Sequence, residues 1–98
     1  MKYGLSDSEF RFLNENLILP LKKSKAKVFI FGSRAIGSHK QFSDVDIMVE
    51  SENDLTKMMS QISEKFVESN FPYKIDLVSI NYFSKSYLPQ YEKQKIAL

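Results

Sequence analysis

The chain has 98 residues, 43% hydrophobic and 27% charged, which suits one globular domain and excludes a disordered or low-complexity protein. Its net charge of +2, from 14 basic and 12 acidic residues, is too balanced to imply general nucleic-acid binding, and the absence of cysteine excludes disulfides and thiolate metal sites. No apolar run approaches the roughly 20 residues that span a bilayer, and the opening MKYGLSDSEF holds no apolar signal core, so a cytoplasmic protein with no membrane and no direct nucleic-acid partner is expected.

In chain order, Ser6 and Glu9 form a capping box that opens a first helix. Phe10, Leu13 and Leu17 give that helix an apolar stripe, and Pro20 is expected to end or kink it. Lys22, Lys23, Lys25 and Lys27 form a basic turn ahead of a strand over Val28 to Phe31. Gly32-Ser33 breaks that strand, and Gly37 permits a second turn. The next strand is expected over Asp44 to Glu50, with Val45, Ile47 and Val49 on one face and Asp44, Asp46, Met48 and Glu50 on the other.

Asn53 is the expected N-cap of a second long helix. Leu55, Met58, Met59, Ile62, Phe66 and Val67 keep helical spacing and should cover one face of the sheet, and Asn70 to Pro72 ends the helix. Lys74 to Val78 reads as a third strand with Asp76 inside it. A last helix is expected near Asn81, limited by Pro89, and Tyr82, Phe83, Tyr87 and Tyr91 on it could form an aromatic binding surface. The fold class is α/β: one domain over residues 1–98, a small mixed sheet of three to four strands with helices packed on it and strand order open.

The carboxylates raise the chemical question. Residues i and i+2 of a strand share a face. Two ionised carboxylates about 5 Å apart repel by roughly 3 kcal/mol at an effective dielectric near 20, a large share of a domain's total of roughly 5–15 kcal/mol. A cation between Asp44 and Asp46 removes that cost, and hard oxygen ligands suit Mg²⁺ or Mn²⁺. Asp76 is a third carboxylate in an apolar strand. If that strand lies beside the other, the three converge on a patch able to hold two metal ions for phosphoryl chemistry.

Gly32 lets a phosphate approach without a Cβ in the way, Ser33 and the backbone N–H groups after it can donate to phosphate oxygens, and Arg34 adds a guanidinium. Metal ligands on one side and phosphate donors on the other describe a nucleoside triphosphate site. His39 and Lys40, in the spacer between the two, are expected to be solvated loop residues, which makes the sole histidine a poor general base.

The set Gly32-Ser33, ten intervening residues, Asp44-Val45-Asp46 and Asp76 resembles the nucleotidyltransferase superfamily with the DNA polymerase β-type catalytic domain. The string FGSRAIGSHKQFSDVDIMV is similar to the minimal nucleotidyltransferases, the MNT proteins, and PYKIDLV resembles the subgroup found beside small helical HEPN proteins. The resemblance implies a polymerase β-like core and an antitoxin that transfers AMP from ATP to a tyrosine hydroxyl of a HEPN-family toxin. It implies Asp44, Asp46 and Asp76 as catalytic and metal-binding residues, Asp76 also as general base, and Gly32, Ser33 and Arg34 as nucleotide-binding. Ile36 stands where many members carry a second arginine. With no second domain expected, the acceptor should come from the protein partner. Two alternatives stay open: neutralisation of the partner by binding alone, and nucleotidyl transfer to a small molecule such as an antibiotic hydroxyl.

Overall fold

The computed structural model describes residues 2–98. The first helix starts where the capping box places it: Ser6 Oγ accepts from the Glu9 N–H at 3.2 Å, and the Glu9 carboxylate accepts from the Ser6 N–H at 2.8 Å. It runs as α1, Asp7–Leu13, through a π-helical turn, Asn14–Ile18, into α2, Leu19–Lys23. Pro20 therefore does not end it. Proline has no N–H for the preceding turn, and the wider π turn just before it, closed by the Leu19 N–H on the Asn14 carbonyl, takes up the mismatch. Leu13, Leu17 and Leu21 all end up fully buried.

Lys25, at φ 66°, turns the chain into β1, Lys27–Phe31. The one-turn helix α3, Ser33–Ile36, and an exposed loop lead to β2, Val45–Glu50, antiparallel to β1. Helix α4, Thr56–Glu68, carries the chain over the sheet to β3, Ile75–Ser79, parallel to β2. The N-cap of α4 is Leu55 and not Asn53; the residue before it, Asp54, accepts from both the N–H (3.0 Å) and the hydroxyl (2.6 Å) of Thr56. Two 3₁₀ turns, Ile80–Tyr82 and Lys85–Tyr87, precede α5, Leu88–Gln94. Pro89 thus opens this helix rather than limiting it, in the first turn where a missing N–H costs nothing. A two-residue strand β4, Ile96–Ala97, closes the sheet in the order β3-β2-β1-β4.

The two faces of the sheet differ. Val28, Ile30, Val45, Ile47 and Val49 face α1, α2 and α4 and form the core with Leu13, Leu17, Ile62 and Phe66. Val67, expected on the covered face of α4, is 83% exposed: it follows Phe66 by one position and so points away from the sheet. The other face carries Phe29, Phe31, Asp46, Met48, Glu50 and Asp76 by strand alternation and register. Helix α5 covers part of it. Tyr91, in α5, packs edge-on against Phe29 and Phe31 and donates its hydroxyl to Glu50 at 2.6 Å, while Lys95 bonds the same carboxylate at 3.2 Å. Among the described residues, no helix is long and apolar enough to cross a membrane.

Candidate active site

The parallel register sets Asp46 directly beside Asp76, and the antiparallel register sets Phe31, the last residue of β1, on the other side of Asp46. Two carboxylates on one sheet face at the same level are therefore built into the backbone pairing. Burial pushes the Asp46 carboxyl up to about 6, and the neighbouring charges of Asp76 and Asp44 and a proton shared with Asp76 push the same way, while Arg34 opposes them weakly. Asp76 is exposed at the edge of the sheet.

Asp44 differs from expectation. It lies one residue ahead of β2, exposed on the loop, so the adjacent pair is Asp46 and Asp76 on neighbouring strands rather than Asp44 and Asp46 along one strand. Among the described residues, no three Asp, Glu, His or Cys side chains converge as a closed cation cage. The reason lies in the strand boundary: β2 begins at Val45, so Asp44 is outside the pleat that aligns Asp46 with Asp76. The Asp46–Asp76 pair still fits a divalent cation, because an oxygen pair disfavoured by its own charge is the donor set a hard cation relieves.

Gly32 closes the site from the β1 side. Its φ of 73° and ψ of −157° are open to glycine alone, and a Cβ here would overlap the Asp46 carboxylate. The chain then enters α3, whose bonds from Ala35 and Ile36 N–H go back to the Gly32 carbonyl at 3.1 and 3.3 Å. The amides of Ser33 and Arg34 belong to the first turn and so lack intrahelical acceptors. Gly32→Ala is expected to displace the Asp46 carboxylate and lower stability by about 1–2 kcal/mol. A denaturant midpoint checks the stability, and Mg²⁺ affinity, expected to fall with it, checks the displacement.

Arg34 is not placed as expected. It is buried, only 3% exposed, and donates through Nε and Nη2 to the Ser43 carbonyl (3.1 and 2.8 Å) and through Nη1 to the Tyr3 carbonyl (2.8 Å). Its guanidinium lies over the Tyr73 ring, 4.3 Å from the centroid. It thus fastens the N-terminal turn, the end of the spacer loop and the approach to β3 into one unit behind the carboxylates. Nothing in the sequence near Arg34 signals this, because its acceptors are backbone carbonyls far along the chain. His39 is half-buried against Gly4 rather than solvated, while Lys40 is exposed as expected. Ile36, the last residue of α3, and Phe42, in the loop that follows at φ 70°, are exposed apolar residues.

Comparison with known proteins agrees with this geometry. The nucleotidyltransferase domain family model matches residues 15–97. A probable protein adenylyltransferase MntA of Haemophilus influenzae is 38% identical over 52 residues, covering 52% of this chain and 46% of that protein, so the match spans about half the length of the curated relative. A crystal structure of a toxin–antitoxin with AMP-PNP superposes with a TM-score of 0.65 at 28% identity, covering 87% of this chain and 72% of that one. A structure of a tri-AMPylated Shewanella oneidensis HEPN toxin in complex with its MNT antitoxin gives a TM-score of 0.58 at 26% identity, over 87% of this chain and 68% of that one. A family match across most of the chain, a shared fold, and paired carboxylates beside a Gly-Ser turn place this chain in the nucleotidyltransferase domain family.

Proposed function

We propose that the chain transfers AMP from ATP to a tyrosine hydroxyl of a HEPN-type toxin partner and so acts as its antitoxin in the cytoplasm. The observation that carries this is the register pairing of Asp46 with Asp76 against Gly32, a position where a Cβ would strike the carboxylate. Support for the partner comes from relatives: a HEPN toxin bearing AMP groups stands in complex with an MNT antitoxin of the same fold.

In this reading Asp46 and Asp76 hold the divalent cation, Mg²⁺ or Mn²⁺, with Asp44 contributing from the loop. When bound, the ion would supply charge stabilisation for the phosphoryl transfer. Gly32 gives the triphosphate room, and Ser33 donates to it. Asp76, the exposed member of the pair, takes the proton of the attacking hydroxyl. The hydroxyl oxygen bonds to the α-phosphorus, the bond to the β-phosphate oxygen breaks, and pyrophosphate leaves. Arg34 acts from behind, as the residue that holds the spacer loop.

Incubation with the HEPN partner, ATP and Mg²⁺, followed by intact-mass measurement, tests the reading. A gain of one or more AMP units on the partner is expected. An unmodified partner in a complex that still forms contradicts it. Full neutralisation by the double variant Asp44→Asn/Asp46→Asn assigns the antitoxin effect to binding alone.

A further inference from the structure

Beside the carboxylates, on the same sheet face, lies an open slot of about 240 Å³ lined by Phe31, Phe83, Tyr87, Gln90, Tyr91 and Gln94. That volume is below the roughly 300–1,000 Å³ of pockets that take a whole drug-sized ligand, so the slot suits one flat ring system. Its walls are aromatic: Phe31 meets Phe83 at 5.8 Å and Tyr91 at 5.4 Å between ring centroids, and Phe83 meets Tyr87 at 6.1 Å. Its inner wall is rigid. Tyr91 is 2% exposed and fixed by its hydroxyl bond to Glu50. Its outer wall, Tyr87, touches Phe83 on one side and is 61% exposed, which leaves most of its ring free to meet a ligand.

Two further observations fix its relation to the site. Phe31 pairs with Asp46 across the sheet and immediately precedes Gly32, so the slot begins one residue from the phosphate turn. Gln90 and Gln94 are four apart on α5, hence on one face, and bring two amides to a lining that is otherwise aromatic. Aromatic faces stack any base, and a glutamine amide pairs with the donor–acceptor edge of adenine.

We propose that this slot between the end of β1 and α5 holds the purine base of the nucleoside triphosphate whose phosphates lie at Gly32 and Asp46. The proposal rests on the nucleotidyltransferase reading and adds to it where the base sits and which side chains meet its edge. Tyr87 stacks on the base as an outer lid, Phe31 and Tyr91 form the floor, and the glutamine amides face the base edge.

Equilibrium titration of the full chain with Mg²⁺ and either AMP-PNP or inorganic tripolyphosphate separates the two claims. Tyr87→Ala is expected to weaken AMP-PNP by about tenfold, as loss of one stacking partner does, and to leave tripolyphosphate unchanged. The chain has no tryptophan, so Tyr87→Trp provides a lone reporter that should retain affinity and change fluorescence with AMP-PNP but not with tripolyphosphate. Gln90→Glu combined with Gln94→Glu should erase the preference for ATP over UTP. Tripolyphosphate binding that persists while Tyr87→Ala leaves AMP-PNP unaffected overturns the slot alone. Failure of wild-type protein to bind either probe overturns the nucleotidyltransferase reading and the slot with it.

Discussion

Asp46→Asn is expected to lower AMP transfer by about 10³-fold, the loss of several kcal/mol of transition-state stabilisation, while making the metal-free chain harder to unfold. The stability gain comes from the charge that the fold half-buries. The Asp46 carboxyl, ordinarily near 3.8, is pushed up to about 6 by burial first and by the charges of Asp76 and Asp44 next. The folded state therefore binds its proton more tightly than the unfolded state does. The sign follows: the group costs nothing at low pH, the cost grows as pH rises from about 4 through 6, and it is complete above that. Solvent screening at this half-open position holds the cost of keeping the carboxylate ionised in the fold to about 1 kcal/mol. Asparagine carries no charge to bury, so the variant should unfold later than wild type at about pH 7.5 and no later at about pH 4. Mg²⁺ should stabilise wild type and leave the variant unmoved. Urea midpoints at the two pH values, with and without Mg²⁺, check all of this. A variant less stable than wild type at neutral pH contradicts the strained-pair account.

Arg34→Ala is expected to cost about 3 kcal/mol, enough to threaten a domain whose total is roughly 5–15 kcal/mol. The substitution orphans the carbonyls of Tyr3 and Ser43, removes a guanidinium stacked on Tyr73, and leaves a void where the side chain was only 3% exposed. Arg34→Lys discriminates between a structural role and a phosphate contact. Lysine keeps the charge but loses the fork on Ser43 and the planar stack, so the account predicts an intermediate loss of stability. A phosphate ligand would instead show unchanged unfolding with raised ATP demand. Thermal unfolding and the ATP dependence of transfer, measured on both variants, separate the two.

Much of this was legible in the sequence, for physical reasons. The capping box, the apolar strands and, Val67 apart, the α4 stripe are local signals, and they lie where residue spacing puts them. The carboxylate site was legible because a charge in an apolar strand is costly enough to need a cause. What escaped were features set by distant or very short segments. Asp44 and Asp46 share a spacing, but β2 begins only at Val45, and the partner of Asp46 is fixed by the parallel register of β3. Arg34, beside a Gly-Ser turn, reads as a phosphate ligand until the fold brings the Tyr3 and Ser43 carbonyls to it. Pro20 reads as a stop because a π turn leaves no mark in composition. Strand β4 has two residues, too few to carry an alternation. The aromatic group near the C-terminus was visible as a cluster, but its place beside Asp46 depends on Phe31, a residue of β1.

On the function proposed above, a metal-bound nucleotide sits at the end of the sheet where Asp46, Asp76 and Gly32 meet. Titrating ¹⁵N-labelled protein with substoichiometric Mn²⁺ in the presence of AMP-PNP, and following amide broadening, tests it without any partner. Broadening centred on Gly32, Ser33, Asp46 and Asp76, and lost in Asp46→Asn, is the predicted result. Broadening centred elsewhere, for instance on the acidic turn at Glu52 and Asp54, or unchanged by Asp46→Asn, would contradict it.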